Sequence, residues 1–244
     1  MIGVGVVSRR RLCYQQHAIR DMLLAIDTAT RYASLALHDG GAVRAEMTWE
    51  ISDRHTVELM PRLAWMLEQV GLRAGALTGL AVSIGPGSFT GLRVGLAIAK
   101  GLALANSLPV VGIPTLDVVA YAQTVHKGPL VAVLQAGRSK LAARRYRRAR
   151  GAWRAQGEVM VTTVDRIGAE WTAPTWLCGE LSAAEREAIG ARLGARVILV
   201  EPARSLRRAG FLAELGWQRL RTGDADDLDA LKPIYIPTAG VAVT

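Results

Sequence analysis

The order of hydrophobic patterns along the chain restricts its fold more than any other feature. The first half predicts three antiparallel strands, then a helix, a strand, a second helix, a strand and a third helix, the order βββαβαβα. The predicted strands are 23–27, 32–38, 43–49, 77–85 and 108–113, and the predicted helices are 52–72, 88–106 and 115–123. Because antiparallel strands followed by helix–strand units build a mixed sheet, we expect an α/β sub-domain here.

The second half begins in the same way, with three predicted strands followed by helices and strands. Its predicted strands are 129–135, 140–146, 153–161, 175–179 and 196–200, and its predicted helices are a short one near 163–170, then 182–194 and 205–223. Two halves of related order predict two sub-domains, 22–113 and 114–223. A basic extension at 1–21 precedes them, and an extended tail at 224–244 follows.

Composition narrows the class of protein. The chain has 244 residues, half of them hydrophobic, which is enough to bury a sizeable core. No window approaches 18 apolar residues, so we expect no membrane span. The two cysteines, Cys13 and Cys178, form no CxxC pair, and the four histidines form no HxxxH or HExxH pair. We therefore expect no metal site and no disulfide framework, and a reducing cytoplasm is the predicted location.

The basic extension at 1–21 leaves two interpretations open. It lacks the apolar segment that an export signal requires. It is either a disordered tail or the product of a start codon placed too early, with Met22 as the true start, and we favour the second.

Positive charge is concentrated in one part of the chain. The formal net charge is +9, and the segment between Asp117 and Glu158 contains nine cationic residues and no acidic one. Such a block attracts polyanions such as nucleic acid. It equally protects a solvated strand pair from edge-to-edge aggregation. Charge alone does not separate these two interpretations.

The stretch SIGPGSFTGLRVGLAIAKGLA at 83–103 follows a predicted strand and opens a predicted helix. This context suits anion binding by free backbone N–H groups. The stretch nevertheless matches neither phosphate-binding motif. A Walker loop requires GK[ST] after four spacers, and GxGxxG fails because its sixth position is Thr90, with Gly91 one residue late.

The helix of the same stretch carries two rows of small residues. One row is Gly91, Gly95, Ala99 and Ala103, and the other is Ala97, Gly101 and Ala105. Since an interior glycine costs a helix about 1 kcal/mol relative to alanine, close packing has to offset that cost. One row is expected to pack on the sheet of its own domain, and the other is a candidate contact with another chain.

Several of these segments together resemble the TsaB (YeaZ) family, whose members are needed to make threonylcarbamoyladenosine on tRNA. The resemblance is carried by AIDTAT at 25–30, RHT at 54–56 with Pro61, GPGSFTGLRVGLAIAKGLA at 85–103 and PVVGIPTLD at 109–117, and it is close over 22–123. It implies an actin-like fold, in which two RNase H-like sub-domains each contain a five-stranded mixed sheet.

The resemblance also implies a function. TsaB proteins are non-catalytic partners of the related transferase TsaD, are joined by the ATPase TsaE, and form homodimers through the same surface when TsaD is absent. ATP and metal are then expected on the partner subunits, and tRNA is expected to reach this chain through the complex. The chain itself is expected to have no catalytic residue and no metal.

The resemblance further assigns residues to sites. The implied partner interface, on two helices that pack against the equivalent pair of TsaD, is His55, Met60, Leu63, Leu67, Arg93, Val94, Ala97 and Lys100. In enzymes of the actin-like superfamily the first hairpin, here 27–34, wraps nucleotide phosphates, and its Asp helps to hold Mg²⁺. The implied vestigial nucleotide site is Asp27, Thr28 and Arg138, and the candidate tRNA contacts from the basic block are Arg144, Arg145, Arg147 and Arg148.

Two of these assignments have structural alternatives. For His55, a hydrogen-bonding role at the start of the helix is as well supported as contact with a partner. For Asp27, we favour a carboxylate that caps its own turn at 28–30 over a metal ligand.

The sequence departs from the family pattern at two positions. The strand that usually ends in Asp-Ala-Arg ends here in Gln135-Ala136-Gly137, and an amide cannot organise Mg²⁺ as a carboxylate does. The tail has Pro237 where the family often has an arginine.

Two rival functions remain. The first is an actin-fold kinase or ATPase that uses Asp27 and the loop 85–91 on ATP. A peptidase ranks last, because the sequence contains no HExxH motif, no GxSxG motif and no matched Cys–His pair.

Overall fold

The computed structural model describes residues 21–51, 55–124, 127–137 and 139–236, without the side chains of 55–57. The basic extension up to residue 20, Arg138 and Pro237 lie outside the described residues. In the described ranges the chain forms two five-stranded sheets. None of the helices in those ranges has the length and apolar character needed to cross a membrane.

The first half of the chain forms the first sheet. Its strands are β1 (Leu23–Asp27), β2 (Tyr32–His38), β3 (Val43–Glu50), β4 (Gly79–Gly85) and β5 (Val110–Pro114), in the order β3-β2-β1-β4-β5. β1 is antiparallel to β2 and parallel to β4. The turn between β2 and β3 requires Gly40, whose φ of 87° favours glycine, and Asp39 accepts hydrogen bonds from the next N–H groups.

Three helices follow strands of this sheet, and the third leads to the second half. They are α1 (His55–Gln69), α2 (Phe89–Asn106) and α3 (Thr115–Tyr121). Ser88 caps α2 by accepting a hydrogen bond from the Gly91 N–H at 3.2 Å, and Ser107 ends the helix in the left-handed conformation. The inner sides of α1 and α2 pack together over one face of the sheet and build the largest core cluster. The outer sides of both helices face away from the protein.

The second half repeats the sheet. Its strands are β6 (Leu130–Gln135), β7 (Leu141–Ala149), β8 (Ala152–Thr162), β9 (Thr175–Gly179) and β10 (Val197–Leu199), in the order β10-β9-β6-β7-β8. Its helices are α4 (Ala183–Leu193), α5 (Pro202–Ser205) and α6 (Ala209–Leu220). The first strand is again antiparallel to the second and parallel to the fourth. This confirms the predicted α/β fold class with two mixed sheets of related order.

The short helix predicted near 163–170 is wrong. The segment forms consecutive turns, in which the N–H groups of Arg166, Ala169 and Trp171 each bond to the carbonyl three residues earlier. Gly168 has a φ of 74°, which an α-helix does not accommodate. The predicted helix 205–223 begins later than predicted, as α6 at Ala209, because an extended segment at 206–208 separates it from the short α5.

The two halves exchange helices. The apolar side of α6, at Ala209, Leu212 and Ala213, packs on the strands of the first sheet. In return, α3 packs on the second sheet through Leu116 and Val119. Each half therefore completes a core that the other half began, and the segment between α5 and α6 crosses the cleft between them.

Candidate functional site

Asp27 ends β1, and its carboxylate is fully buried at the cleft between the two halves. Its Oδ1 accepts hydrogen bonds from the Ala29 N–H at 3.0 Å and from the Ser83 hydroxyl at 2.9 Å. The first of these bonds is the cap of the following turn that the sequence favoured. The second ties the end of β1 to β4, so the position of the carboxylate is fixed by two strands and a turn.

The charge of Asp27 is balanced by Arg207, which lies in the segment that crosses the cleft. Nε of Arg207 donates to Oδ2 of Asp27 at 2.7 Å, and Nη2 donates to Oδ1 at 3.2 Å. Nη1 of the same side chain donates to Oε1 of Glu180, the residue that follows β9. One guanidinium therefore joins a carboxylate of the first half to a carboxylate of the second.

Arg207 is a permanent buried cation. Only 2% of the residue is exposed. Burial acts to lower the pKa of the guanidinium, but the negative charges of Asp27 and Glu180 outweigh it and raise that pKa above its ordinary value. Thr30 completes the network, because its hydroxyl accepts from Nη2 of Arg207 at 3.1 Å and donates to Oε1 of Glu180 at 2.6 Å. Arg207 thus binds both oxygens of the carboxylate that, in the resemblance, helps to hold Mg²⁺.

The glycine loop is closed by the protein's own backbone. The Ser88 N–H donates to the Ala29 carbonyl at 2.6 Å, and a Cβ at Gly87 would collide with that same carbonyl. The Thr28 hydroxyl donates to the Gly91 carbonyl at 2.7 Å and lies directly above Gly95. These glycines allow the turn after β1 to pack against the start of α2, and they do not leave a cradle open for phosphate.

The matching position in the second half is also satisfied internally. The amide of Gln135 donates to both carboxylate oxygens of Glu185, at 3.0 and 2.9 Å. Burial acts to raise the pKa of Glu185, but this amide and Ser182 outweigh it, so that the pKa is lowered. The adjoining opening, of about 390 Å³, is lined by Arg31, Glu180 and Arg186 among others.

The residues at the cleft therefore do not fit a metal–nucleotide site. The carboxylate that would hold the metal is engaged by Arg207, and the hydroxyl of Thr28 is engaged by α2. Sequence reasoning missed Arg207 because 180 residues separate it from Asp27. The only local sign of its role is weak: Arg207 belongs to an Arg-Arg pair that precedes the last helix, α6.

The two small-residue rows of α2 have different surroundings. Gly91, Gly95, Ala99 and Ala103 are all buried, which confirms the row expected to pack on the protein's own sheet. The second row, Ala97, Gly101 and Ala105, is exposed. A Cβ at Gly101 would meet no atom within 4 Å. Nothing within the described residues covers this second row.

Large apolar side chains accompany the exposed row. Leu104 of α2 is 73% exposed, and Trp65 and Met60 of α1 are 53% and 44% exposed. We call the following exposed residues of these two helices the α1–α2 face: Met60, Pro61, Ala64, Trp65, Ala97, Gly101, Leu104 and Ala105. Helical spacing from Gly101 would have identified Leu104, which lies three residues further on.

An aromatic cluster lies at the start of α2. The guanidinium of Arg93 stacks over the ring of Phe89, 3.6 Å from its centroid, and Nε donates to the Tyr235 hydroxyl at 2.8 Å. The tail is held there by a hydrogen bond of 2.6 Å from the Ile234 N–H to the Ile84 carbonyl. The tail thus fixes the direction of Arg93, and both aromatic rings remain about half exposed.

A family model described as "TsaD: tRNA N6-adenosine threonylcarbamoyltransferase" matches residues 47–237, which is most of the chain. The chain belongs to the TsaD family. Several of its curated relatives are TsaB proteins, which supports the resemblance that the sequence predicted. It is 43% identical over 99 residues to "tRNA threonylcarbamoyladenosine biosynthesis protein TsaB" of Escherichia coli, covering 40% of this chain and 42% of that protein. The TsaB protein of Bacillus subtilis is 26% identical over 224 residues, covering 89% and 94%.

The first curated relatives are matched over less than half of their own length, 42% for both the Escherichia coli and the Haemophilus influenzae TsaB proteins. Solved structures extend the likeness across the fold. A Pseudomonas aeruginosa protein described as similar to the peptidase YEAZ superposes with a TM-score of 0.73 at 25% identity, over 88% of this chain and 99% of that chain. "YeaZ from Pseudomonas aeruginosa" gives 0.71 at 24% identity, over 88% and 100%. These likenesses confirm the predicted fold.

Six of the eight residues that the TsaB resemblance assigned to an interface remain predictions. Met60, Arg93 and Ala97 are exposed and Val94 and Lys100 are half-buried, while the side chain of His55 lies outside the described part. Leu63 and Leu67 require correction, because they are 2% and 6% exposed and belong to the core under α1. They lie on the same side of α1 as Leu59, which is buried in the core.

The four arginines assigned to tRNA divide between two sides of the β7–β8 pair. Arg144 lies on the side that faces α3, where its Nη1 is 3.8 Å from Asp117 and its Nε donates to the Gly157 carbonyl. Arg148 lies an even number of residues from Arg144 on the same strand, so its side chain points to the same side of the sheet. Arg145 and Arg147 are exposed on the opposite side. The chain thus presents two of the four arginines together.

Proposed function

We propose that this chain is the non-catalytic partner of a TsaD-type subunit in the reaction that installs a threonylcarbamoyl group on N6 of adenosine 37 in tRNA. Its family and the names of its TsaB relatives support a place in this pathway. In this proposal the chain acts by docking, and the partner carries the reaction centre.

The observation that carries this proposal is the α1–α2 face. Exposed apolar side chains on two adjacent helices, combined with a row of small residues, are typical of a surface on which other helices pack closely. Leu104 and Trp65 supply large apolar area, while Ala97 and Gly101 let a partner's backbone approach. A related actin-like subunit offers a matching helix pair, so the occupant proposed is TsaD, or a second copy of this chain when TsaD is absent.

The assignment of chemistry to the partner rests on Arg207. An Asp27 carboxylate that already binds a buried guanidinium at two points is a poor ligand for Mg²⁺, because the two cations would compete for the same oxygens. In the described ranges, no group of three His, Cys, Asp or Glu residues is placed to hold a metal. We therefore propose that ATP and metal are bound by TsaD and by the ATPase TsaE. tRNA then reaches this chain through the complex.

Co-purification with TsaD tests the docking proposal. Leu104→Asp places a charge at the most exposed large apolar residue of the α1–α2 face. It should reduce complex formation strongly, because a carboxylate buried without a partner costs several kcal/mol. Ala191→Asp is the matched control: it adds the same charge on the exposed side of α4. Equal recovery of TsaD with both variants would refute the docking surface.

The rival kinase or ATPase function has its own test. ATP hydrolysis by the purified chain, abolished by Asp27→Asn, would support that rival and contradict the proposal. We expect no turnover above background with either form of the chain.

A further inference from the structure

A groove of about 450 Å³ lies on the second sheet, on the side opposite α3. It forms where β8 bulges away from β7. Ala143 is paired with Met160 and Arg145 with Gln156, so that 157–159 are opposite Arg144 alone. The bulge is built into the sequence, because Gly157 has a φ of 66° and its carbonyl accepts a hydrogen bond of 3.1 Å from Nε of Arg144.

The groove is open because the second half lacks a helix after its third strand. In the first half, α1 follows β3 and covers the corresponding side of the sheet. In the second half, the turns at 164–170 cover only part of it. Ile167 and Trp171, each 4% exposed, form the inner wall, and Met160 lies exposed at the rim.

The lining combines an apolar floor with polar groups. Val131 and Ala143 contribute to the floor. Arg145 and Arg166 supply planar cations, Glu158 and Glu170 supply carboxylates that accept hydrogen bonds, and Gln156 supplies an amide that both donates and accepts them. A flat, partly polar ring fits such a lining, because one face packs on apolar atoms or guanidinium planes and the edge hydrogen-bonds.

Cations continue from the groove towards the tip of the hairpin. Cross-strand partners share a side of the sheet, and Arg147 is paired with Arg154, two residues along from the Arg145–Gln156 pair. We call Arg145, Arg147 and Arg154 the arginine strip. All three are exposed, and none has an ion-pair partner among the described residues, whereas Arg144 on the other side lies near Asp117.

We propose that the arginine strip and the adjoining groove bind RNA, the strip through phosphates and the groove through one unpaired base. The inference rests on the proposed function, because tRNA is the polyanion that the function brings to this chain. An acidic protein would satisfy the strip, but Glu158 and Glu170 in the groove would repel its carboxylates, whereas they can accept hydrogen bonds from the N–H groups of a base. Unpaired RNA bases, in contrast, commonly stack on guanidinium planes and apolar side chains beside a cationic track.

The strip is tested by the salt dependence of binding. Fluorescence anisotropy of the full chain with a labelled single-stranded RNA gives Kd over a series of salt concentrations. The triple variant Arg145→Gln, Arg147→Gln, Arg154→Gln should weaken binding about tenfold and reduce the slope of log K against log salt by about two, since each phosphate contact of a single strand contributes roughly 0.7. The control variant Arg73→Gln, Arg196→Gln, Arg221→Gln removes the same charge from exposed positions elsewhere.

The groove is tested by Met160, with Val43 as the control. Both are exposed apolar residues on the third strand of their sheet, but Val43 lies in the first half and does not line the groove. Met160→Glu should weaken binding of the single-stranded RNA about fivefold more than Val43→Glu does. Binding of a duplex RNA, which offers no unpaired base, should not separate the two variants.

Three outcomes would overturn the inference: a triple variant that matches its control in both Kd and slope, equal effects of Met160→Glu and Val43→Glu, or equal discrimination on duplex and single-stranded RNA. Failure here is distinguishable from failure of the proposed function. Loss of TsaD docking with intact, strip-dependent RNA binding would contradict the proposed function alone. Normal docking of TsaD, together with RNA binding that the triple variant does not weaken, would contradict this inference alone.

Discussion

The first strand of each half ends at the same place in its sheet, but Asp27 stands there in the first half and Gln135 in the second. Asp27 is buried and bound by Arg207 from across the cleft, whereas Gln135 bonds to Glu185 of its own half. Neither residue is free to hold a ligand. The comparison shows that one topology can close its ligand cleft in two ways, by an ion pair between the halves and by an amide within one half.

The halves differ again after their third strands. The first half continues into α1, which with α2 presents an exposed apolar face. The second half continues into turns, which leave a groove beside a row of arginines. The same sheet therefore supports a surface suited to a protein in one half and a surface suited to a polyanion in the other.

The largest effect is expected when the ion pair that joins the two halves is removed. Arg207→Met should lower the free energy of unfolding by about 3–5 kcal/mol, because it leaves the Asp27 carboxylate buried without its cation. Urea unfolding followed by circular dichroism measures this. Arg208→Met, next in the chain and exposed, should change the free energy by about 0.5 kcal/mol or less. Similar losses of unfolding free energy in both variants would show that the buried ion pair stabilises the protein no more than an exposed one.

A smaller effect is expected from the two rows of α2. Gly95→Ala should destabilise the protein by about 1–3 kcal/mol, because the new Cβ would collide with the Thr28 hydroxyl. Gly101→Ala, at an open position of the same helix, should stabilise it by up to about 1 kcal/mol through helix propensity. Thermal unfolding of the two variants measures the difference. A change of the same sign in both would contradict the assignment of the rows.

The smallest effect concerns the contact of α3 with the second sheet. The Tyr146 hydroxyl donates to Oδ1 of Asp117 at 2.6 Å, so Tyr146→Phe should cost about 1 kcal/mol at neutral pH. Burial first, and then the charge of Asp117, raises the pKa of Tyr146. The unfolded chain therefore loses this proton first, at about pH 10, and the stability of the wild type should fall above that pH.

The pH dependence distinguishes Tyr146 from other groups that titrate in the same range. The difference in unfolding free energy between wild type and Tyr146→Phe should shrink as the pH rises from 9 to 11, as chemical denaturation at each pH would measure. A constant difference would mean that Tyr146 ionises normally in the folded protein.

Much of the fold could be predicted because its signals are local. Alternation in YASLALH and the Asp39-Gly40-Gly41 turn define the hairpin, and the small-residue spacing of α2 identifies the row that packs inward. The turns at 163–170 were missed because helix-like composition hid the effect of Gly168. Leu63 and Leu67 were placed on the wrong side because motif likeness does not fix the rotation of a helix.

The organisation of the cleft could not be predicted, because it depends on contacts that are distant in sequence. Arg207 lies beside Asp27 because α6, which follows it in the chain, packs on the first sheet. The division of the basic block likewise needs the β7–β8 register, in which adjacent arginines point to opposite sides.

The most direct test of the account is the amount of threonylcarbamoyladenosine in tRNA from a bacterial strain depleted of its own TsaB protein. The strain is supplied with this chain, with Leu104→Asp or with Ala191→Asp, and the nucleosides are quantified by mass spectrometry. The account predicts that the wild type and Ala191→Asp restore the modified nucleoside, while Leu104→Asp, although folded, does not. Full restoration by Leu104→Asp would contradict it.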